Sequence, residues 1–261
     1  MLPTGKDAVA PAPARATGPA MTATPPRLPP FAAVLRDARR IDGALTLWQK
    51  DEKVWIELLP EQLGQPFLLS PKIRSGISEA WVLGGLMAYS VNGAGGPQVV
   101  EFVRVHNQVR LQARNTDVTA RAGTPEARAV ADAYSHSLLG ATPVASQPHP
   151  DRKSVLVEAN GLFLGDLQGI GMLLQRGLRQ GYSLDARNSV ITAVRGTPEV
   201  TVIETQNHYY TGSLGLALPF TSRNRWTFSM PSSIVVDGCT ERDQADLKAG
   251  RVDRSGSTAP G

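Results

Sequence analysis

Four histidines are the first place to look for chemistry in this 261-residue chain: His106, His136, His149 and His208. Imidazoles bind zinc or move protons when their spacing brings them together. A zinc peptidase helix needs His-Glu-x-x-His, in which an i, i+4 pair grips the ion and the glutamate acts as base. None of the four is followed by that pattern. His106 stands beside a predicted hairpin turn, and His136 falls on the polar side of a predicted helix. His149 lies in the stiff loop Gln147-Pro148-His149-Pro150-Asp151, where loops commonly carry function, and His208 precedes Tyr209-Tyr210 at a strand end. Each is read as a packed or solvated residue.

Nucleophilic chemistry finds no better support. Gly76-Ile77-Ser78-Glu79-Ala80 lacks the second glycine of a Gly-x-Ser-x-Gly elbow. Gly165-Asp166-Leu167-Gln168-Gly169-Ile170-Gly171 has neither the Gly-x-Gly-x-x-Gly order nor a Gly-Lys-Ser/Thr ending. Cys239 is the only cysteine, so no intrachain disulfide forms, and its polar surroundings give no reason for a depressed pKa. No catalytic, cofactor-binding or metal residue is therefore assigned. The Gly-rich segment 75–97 and the His149 loop are places to look rather than sites.

Composition sets the frame. Hydrophobic residues make up 41% and charged residues 19%, which suits a folded core. Net charge is +4 with no run of five basic residues, so nucleic-acid binding is not expected. No apolar run approaches the roughly 18 residues of a membrane helix. No charged n-region leads into an apolar h-region after Met1. Read as it stands, the chain is expected to be soluble and unexported.

The elements that would position any site alternate between strand and helix patterns. Residues 1–30 are rich in Ala, Pro and Thr and predict a disordered leader. A short helix is predicted over 32–40. Residues 44–49 and 53–59 form a hairpin across Lys50-Asp51-Glu52, with Val54, Ile56 and Leu58 on one face. Residues 67–73 are a third strand, which Pro71 restricts to an edge or an end. The segment 79–97 is a Gly-rich loop, with a short buried helix around 80–87. Residues 98–106 and 108–115 form a second hairpin about Asn107, which tolerates the left-handed backbone of a tight turn.

Thr124-Pro125-Glu126 then opens a helix, with Ala127, Val130, Tyr134 and Leu138 as its apolar face. The same tripeptide recurs at Thr197-Pro198-Glu199, where Val200-Thr201-Val202-Ile203 favours a strand. Residues 154–159 are a strand. Asp166 caps a helix reaching to about Arg179, with Leu167, Ile170, Leu174 and Leu178 inward. Residues 200–210 are a strand, and some β character persists over 220–236. The expected fold class is α+β, with antiparallel sheet predominating, two or three packed helices and disordered termini. The expected division is a small hairpin domain over 31–78, the loop 79–97, an α+β domain over 98–236 and a disordered tail over 237–261.

Several ordered segments carry a resemblance. They are Trp48-Gln49-Lys50-Asp51-Glu52-Lys53-Val54-Trp55-Ile56-Glu57, Leu68-Leu69-Ser70-Pro71-Lys72-Ile73 and Gly123-Thr124-Pro125-Glu126-Ala127. With them stand Gln147-Pro148-His149-Pro150-Asp151-Arg152-Lys153-Ser154-Val155, Asp185-Ala186-Arg187-Asn188-Ser189 and Arg195-Gly196-Thr197-Pro198. Over about 31–218 the chain resembles the N-terminal domains (DUF5118/DUF5117-like) of bacterial zinc-dependent metalloproteases of the met-zincin type.

That resemblance implies a non-catalytic region, inactive alone, with zinc expected only in a downstream His-Glu-x-x-His domain. Its expected partner is that downstream domain, and a peptide is a further candidate. A periplasmic or extracellular location follows if a signal peptide lies upstream of Met1. The patternless stretch 237–261 is read either as a frameshifted or truncated continuation or as a natural tail. The alternative reading is a free-standing binding module for a peptide or a cell-envelope component.

Overall fold

The computed structural model describes residues 28–76, 82, 84–85, 96–212 and 220–230. In chain order these form a short helix α1 (Phe31–Val34), strands β1 (Arg39–Ile41), β2 (Thr46–Lys50) and β3 (Lys53–Leu58), a 3-10 turn (Pro60–Gln62) and β4 (Phe67–Ser75). Next come β5 (Gln98–Val105), β6 (Gln108–Ala113), helix α2 (Pro125–Ala133), β7 (Ser137–Pro143) and β8 (Val155–Glu158). Helices α3 (Ala159–Phe163) and α4 (Ile170–Leu178) precede β9 (Ser183–Thr197), β10 (Val200–Tyr210) and β11 (Phe220–Ser229). The predicted leader up to residue 27, the predicted helix around 80–87, Gly76-Ile77-Ser78-Glu79-Ala80 beyond its glycine, and the tail with Cys239 lie outside the described residues.

Two antiparallel sheets organise the molecule. One has four strands in the order β1-β2-β3-β8, and the other has seven in the order β7-β6-β5-β4-β11-β10-β9 and curls into a half-barrel. Strands account for 47% and helices for 17% of the described residues, so the fold is mostly β and the α+β expectation is overturned. The reason is plain at the helix predicted from Thr124. It ends at Ala133, because residues 137–143 pair with β6 instead. Its presumed apolar face is not packed: α2 buries no residue, and Tyr134 and Leu138 are 51% and 57% exposed. The five-residue α3 buries Ala159, Leu162 and Phe163 in the main core, and α4 lays Ile170, Leu173 and Leu174 against Ile73 and Tyr209.

Both sheets draw strands from either side of the Gly-rich segment. β3 pairs with β8, and β4 sits between β5 and β11. Pro71 therefore does not place β4 at an edge. β5 pairs only with residues 67–69, whereas β11 pairs from Leu68 to Ser75, so Pro71 lies beyond the reach of β5. Among the described residues no strand pairs with Pro71 on the β5 side, where the missing N–H of proline is tolerated.

The main core fills the space between the sheets. Leu47, Val54 and Ile56 from the smaller sheet meet Phe67, Phe102 and Phe228 from the larger one. Phe163 joins them 5.8 Å from Phe228 and 5.4 Å from Trp226. Full burial of such a side chain contributes about 1.5–3 kcal/mol. β3 is buried on both sides, since Trp55 packs separately with Phe31, Leu35 and Leu156.

The tight turns follow backbone chemistry. Asp51 (φ 52°) and His106 (φ 53°) take the left-handed conformation at the β2–β3 and β5–β6 turns. At the second turn the left-handed residue is thus His106 rather than Asn107. Pro198 and Glu199 link β9 to β10 directly, because Thr197 pairs with Val200.

A clasp of side chain on backbone joins the two segments at that turn. Thr201 Oγ1 accepts from Leu45 N–H at 2.9 Å and donates to Leu45 C=O at 3.0 Å, both buried. A Cβ on Gly196 would lie 2.0 Å from Asp42 C=O, so only glycine lets the two segments close.

Candidate functional site

The histidines nominated by the sequence are engaged in holding local structure. His149 Nδ1 accepts from the N–H groups of Asp151 and Arg152 at 3.1 and 3.2 Å, and its ring stands edge-on 4.9 Å from Phe31. His136 Nδ1 accepts from Asn115 N–H at 3.2 Å, with Nε2 3.9 Å from Glu101. His106 forms the β5–β6 turn, and His208 is half-buried on β10 with its N–H donating to Ser189. These positions do not converge as a zinc ligand set. Among the described residues no group of three or more His, Cys, Asp or Glu stands arranged for a metal. Nor, among them, is any helix long and apolar enough to cross a membrane.

The Gly165–Gly171 segment is a helix cap. Asp166 Oδ1 and Oδ2 accept from Ile170 and Gly171 N–H at 2.8 and 2.9 Å, so this aspartate does cap a helix, but the helix starts at Ile170 behind Gly169 and not at Leu167 as the sequence predicted. Tyr209 adds its hydroxyl to Oδ1 at 2.8 Å. Burial, and then the Asp166 charge and hydrogen bond, push the Tyr209 phenol above its ordinary value. It stays protonated and acts as a donor.

What the fold assembles instead are two buried glutamates. The first, Glu57 on β3, is 3% exposed. Its Oε2 accepts from Trp48 Nε1 at 2.9 Å. Its Oε1 accepts from Ser154 Oγ at 2.7 Å and from Arg152 Nε and Nη2 at 3.1 and 2.8 Å. Burial raises the carboxyl's pKa, but the hydrogen bonds from Ser154, Trp48 and Arg152 outweigh it and hold the group below the usual range. This centre pins the 146–154 loop to β3 and is closed by its donors.

The second, Glu204 on β10, is 6% exposed and lies at the centre of an open face. Four strands neighbouring in the half-barrel build it, in the order β4, β11, β10, β9. Arg74 Nη1 donates to Glu204 Oε2 at 2.7 Å. Arg225 Nε and Nη2 reach Oε1 at 3.0 and 2.9 Å, and Arg195 Nη2 also meets Oε1. Burial again raises the carboxyl's pKa. The Arg225 hydrogen bond and the charges of Arg195, Arg74 and Arg225 overcome it and keep the carboxyl ionised below its ordinary range. One anion here faces three cations whose side chains remain 49%, 60% and 37% exposed. Such an arrangement holds negative charge. It is poorly suited to accept a proton, since a carboxylate with a depressed pKa is a weak base.

Sequence reasoning missed this face because no basic run announces it. Strand pairing, not chain proximity, collects the arginines. The local signals are the alternations Lys72-Ile73-Arg74 and Arg223-Asn224-Arg225, which aim two cations to one side of a strand.

Comparison with protein families gives one finding. The model of the family described as Domain of unknown function (DUF5117) matches residues 92–236. No curated protein and no solved structure matches the chain.

Proposed function

With more than half of its length matched, the chain belongs to the DUF5117 family, and from this premise we propose that it is the non-catalytic N-terminal region of a zinc-dependent metalloprotease of the met-zincin type, acting by binding. The binding half of the reading is carried by the Glu204 face, where a ring of partly exposed guanidinium groups outnumbers the carboxylate it surrounds. The protease half is supported by the similarity of residues 31–218 to N-terminal domains of such enzymes. Zinc belongs to a separate downstream domain in this reading, and the region described here flanks, orients or shields it.

Two measurements test the proposal together. The gene is sequenced with its flanking DNA, and the purified chain is assayed on casein with added zinc. The expected outcome is a downstream segment encoding His-Glu-x-x-His, with no zinc-dependent cleavage by the chain itself. Flanks without such a helix, or cleavage above background, overturn it.

The second reading is a free-standing module for a peptide or cell-envelope component, which the same open face also favours. Cooperative unfolding of a soluble, isolated chain supports the module. Aggregation and hydrophobic dye binding support a region that has lost its neighbour.

A further inference from the structure

Cations stand on the outer face of the half-barrel in excess of what neutralises them. Lys72 and Arg74 alternate with the buried Pro71 and Ile73 on β4, and Arg223 and Arg225 alternate with the buried Asn224 and Trp226 on β11. Residues two apart on a strand share a face and stand about 6.6–6.8 Å from each other. Register brings Lys72 opposite Arg225, and Arg225 opposite Glu204.

Glu204 engages only part of this donor capacity. Each guanidinium carries five N–H donors. Arg74 and Arg195 each give one to the carboxylate and Arg225 gives two. Lys72 and Arg223 make no ion pair among the described residues.

We propose that this face docks an acidic polypeptide segment, lying extended across β4 and β11 with its carboxylates held by Lys72, Arg74, Arg223 and Arg225. The proposal deepens the binding reading above and rests on it. An extended peptide repeats its same-side side chains every 6.6–6.8 Å or so, close to the spacing within each cation pair, and the bulge at Arg223/Asn224 offsets the pair on β4 from the pair on β11. Guanidinium forks suit carboxylates in paired hydrogen bonds, and Glu204 already occupies one such grip on this face. Glu204 acts as a built-in counter-anion. It keeps three like charges together before the partner arrives, which lowers the cost of organising the site on binding. The other described outer positions of these two strands are Leu68, Ser70, Thr227 and Ser229, with no aromatic among them. They offer hydroxyl groups and one aliphatic side chain rather than the aromatic platforms on which nucleobases stack.

The test uses the full chain and a fluorescein-labelled peptide with aspartate at alternate positions, followed by anisotropy at low and at physiological salt. Saturable binding that weakens with salt is expected. The double variant Lys72→Glu, Arg223→Glu, whose positions lie outside the Glu204 contacts, is expected to lose affinity by about tenfold or more. Circular dichroism checks that the variant is folded. If it is not, the single variants Lys72→Ala and Arg223→Ala are expected to show smaller losses in the same direction. An oligothymidylate of equal charge is run alongside. Absence of saturable binding at low salt, unchanged affinity in folded variants, or tighter binding of the oligonucleotide overturns the proposal. The casein assay and the gene flanks are independent of these affinities, so either reading can fail without the other.

Discussion

Glu57 and Glu204 are both almost wholly buried carboxylates gripped by arginine, and they are built for different purposes. Glu57 meets one cation and two neutral donors, and its oxygens are enclosed between β3 and the 146–154 loop. Glu204 meets three cations and lies on a sheet face whose arginines reach solvent. Charge is balanced at the first and overcompensated at the second. A buried ion pair with no surplus fixes structure, whereas a surplus of fixed cations leaves work for an external anion. The difference lies in the number of cationic partners, one against three, not in their exposure or in the burial of the glutamate.

Removing each carboxylate separates the two centres most strongly. Glu57→Ala strands Trp48 Nε1 and the buried Ser154 hydroxyl beside an unpaired Arg152. It is expected to cost about 2–4 kcal/mol. Glu204→Ala frees three arginines that can turn to water, and its expected cost is smaller, about 1–2 kcal/mol. Urea denaturation of both variants measures the order, and a reversed order would dissolve the distinction drawn here.

A gentler probe adds sulfate to the same variants. Sulfate stabilises proteins in general, so Glu57→Ala serves as the reference. Glu204→Ala is expected to recover about 1 kcal/mol more at a sulfate concentration near five times its Kd. Equal recovery in the two variants would mean that the arginine ring does not act as an anion site.

The smallest effect is in pH. Both carboxyls are depressed in the folded state, so the unfolded chain takes up their protons first. The stability they contribute is complete above the usual glutamate range, about pH 4.3, and drains as pH falls through the folded values. Acid titration of stability should therefore flatten below about pH 5 when either glutamate becomes glutamine. A curve parallel to that of the native chain would remove that glutamate from the account.

Local pattern was readable in the sequence where partners are close. The β2–β3 and β5–β6 hairpins follow from alternation around a polar pair, and Asp166 announces a helix N-terminus that begins a few residues later than its position suggests. The tripeptide Thr-Pro-Glu shows where local reading stops. At 124 the threonine hydroxyl accepts from Ala127 N–H and a helix begins. At 197 the same residues make a hairpin turn, because β-branched residues follow and β10 has partners on both sides. Tyr134 and Leu138 suggested a helix face through spacing alone, yet β7 forms because β6 offers an edge that no window of sequence displays. The Glu204 face was hidden for the same reason. Its cations belong to β4, β9 and β11, and only the sheet order makes them neighbours.

The place of β4 in that order has a consequence for biosynthesis. It emerges early, and the strand that covers most of its length, β11, is the last one described. Everything from residue 76 to residue 219 must be made between them. At roughly 5–20 residues per second that interval is on the order of ten seconds. Throughout it, the apolar side of Phe67, Leu69 and Ile73 waits on the ribosome without its final neighbour. Completion of the half-barrel is thus a late, long-range closure, and chaperones would meet this chain with β4 paired to β5 at Phe67–Leu69 and still lacking β11 along the rest.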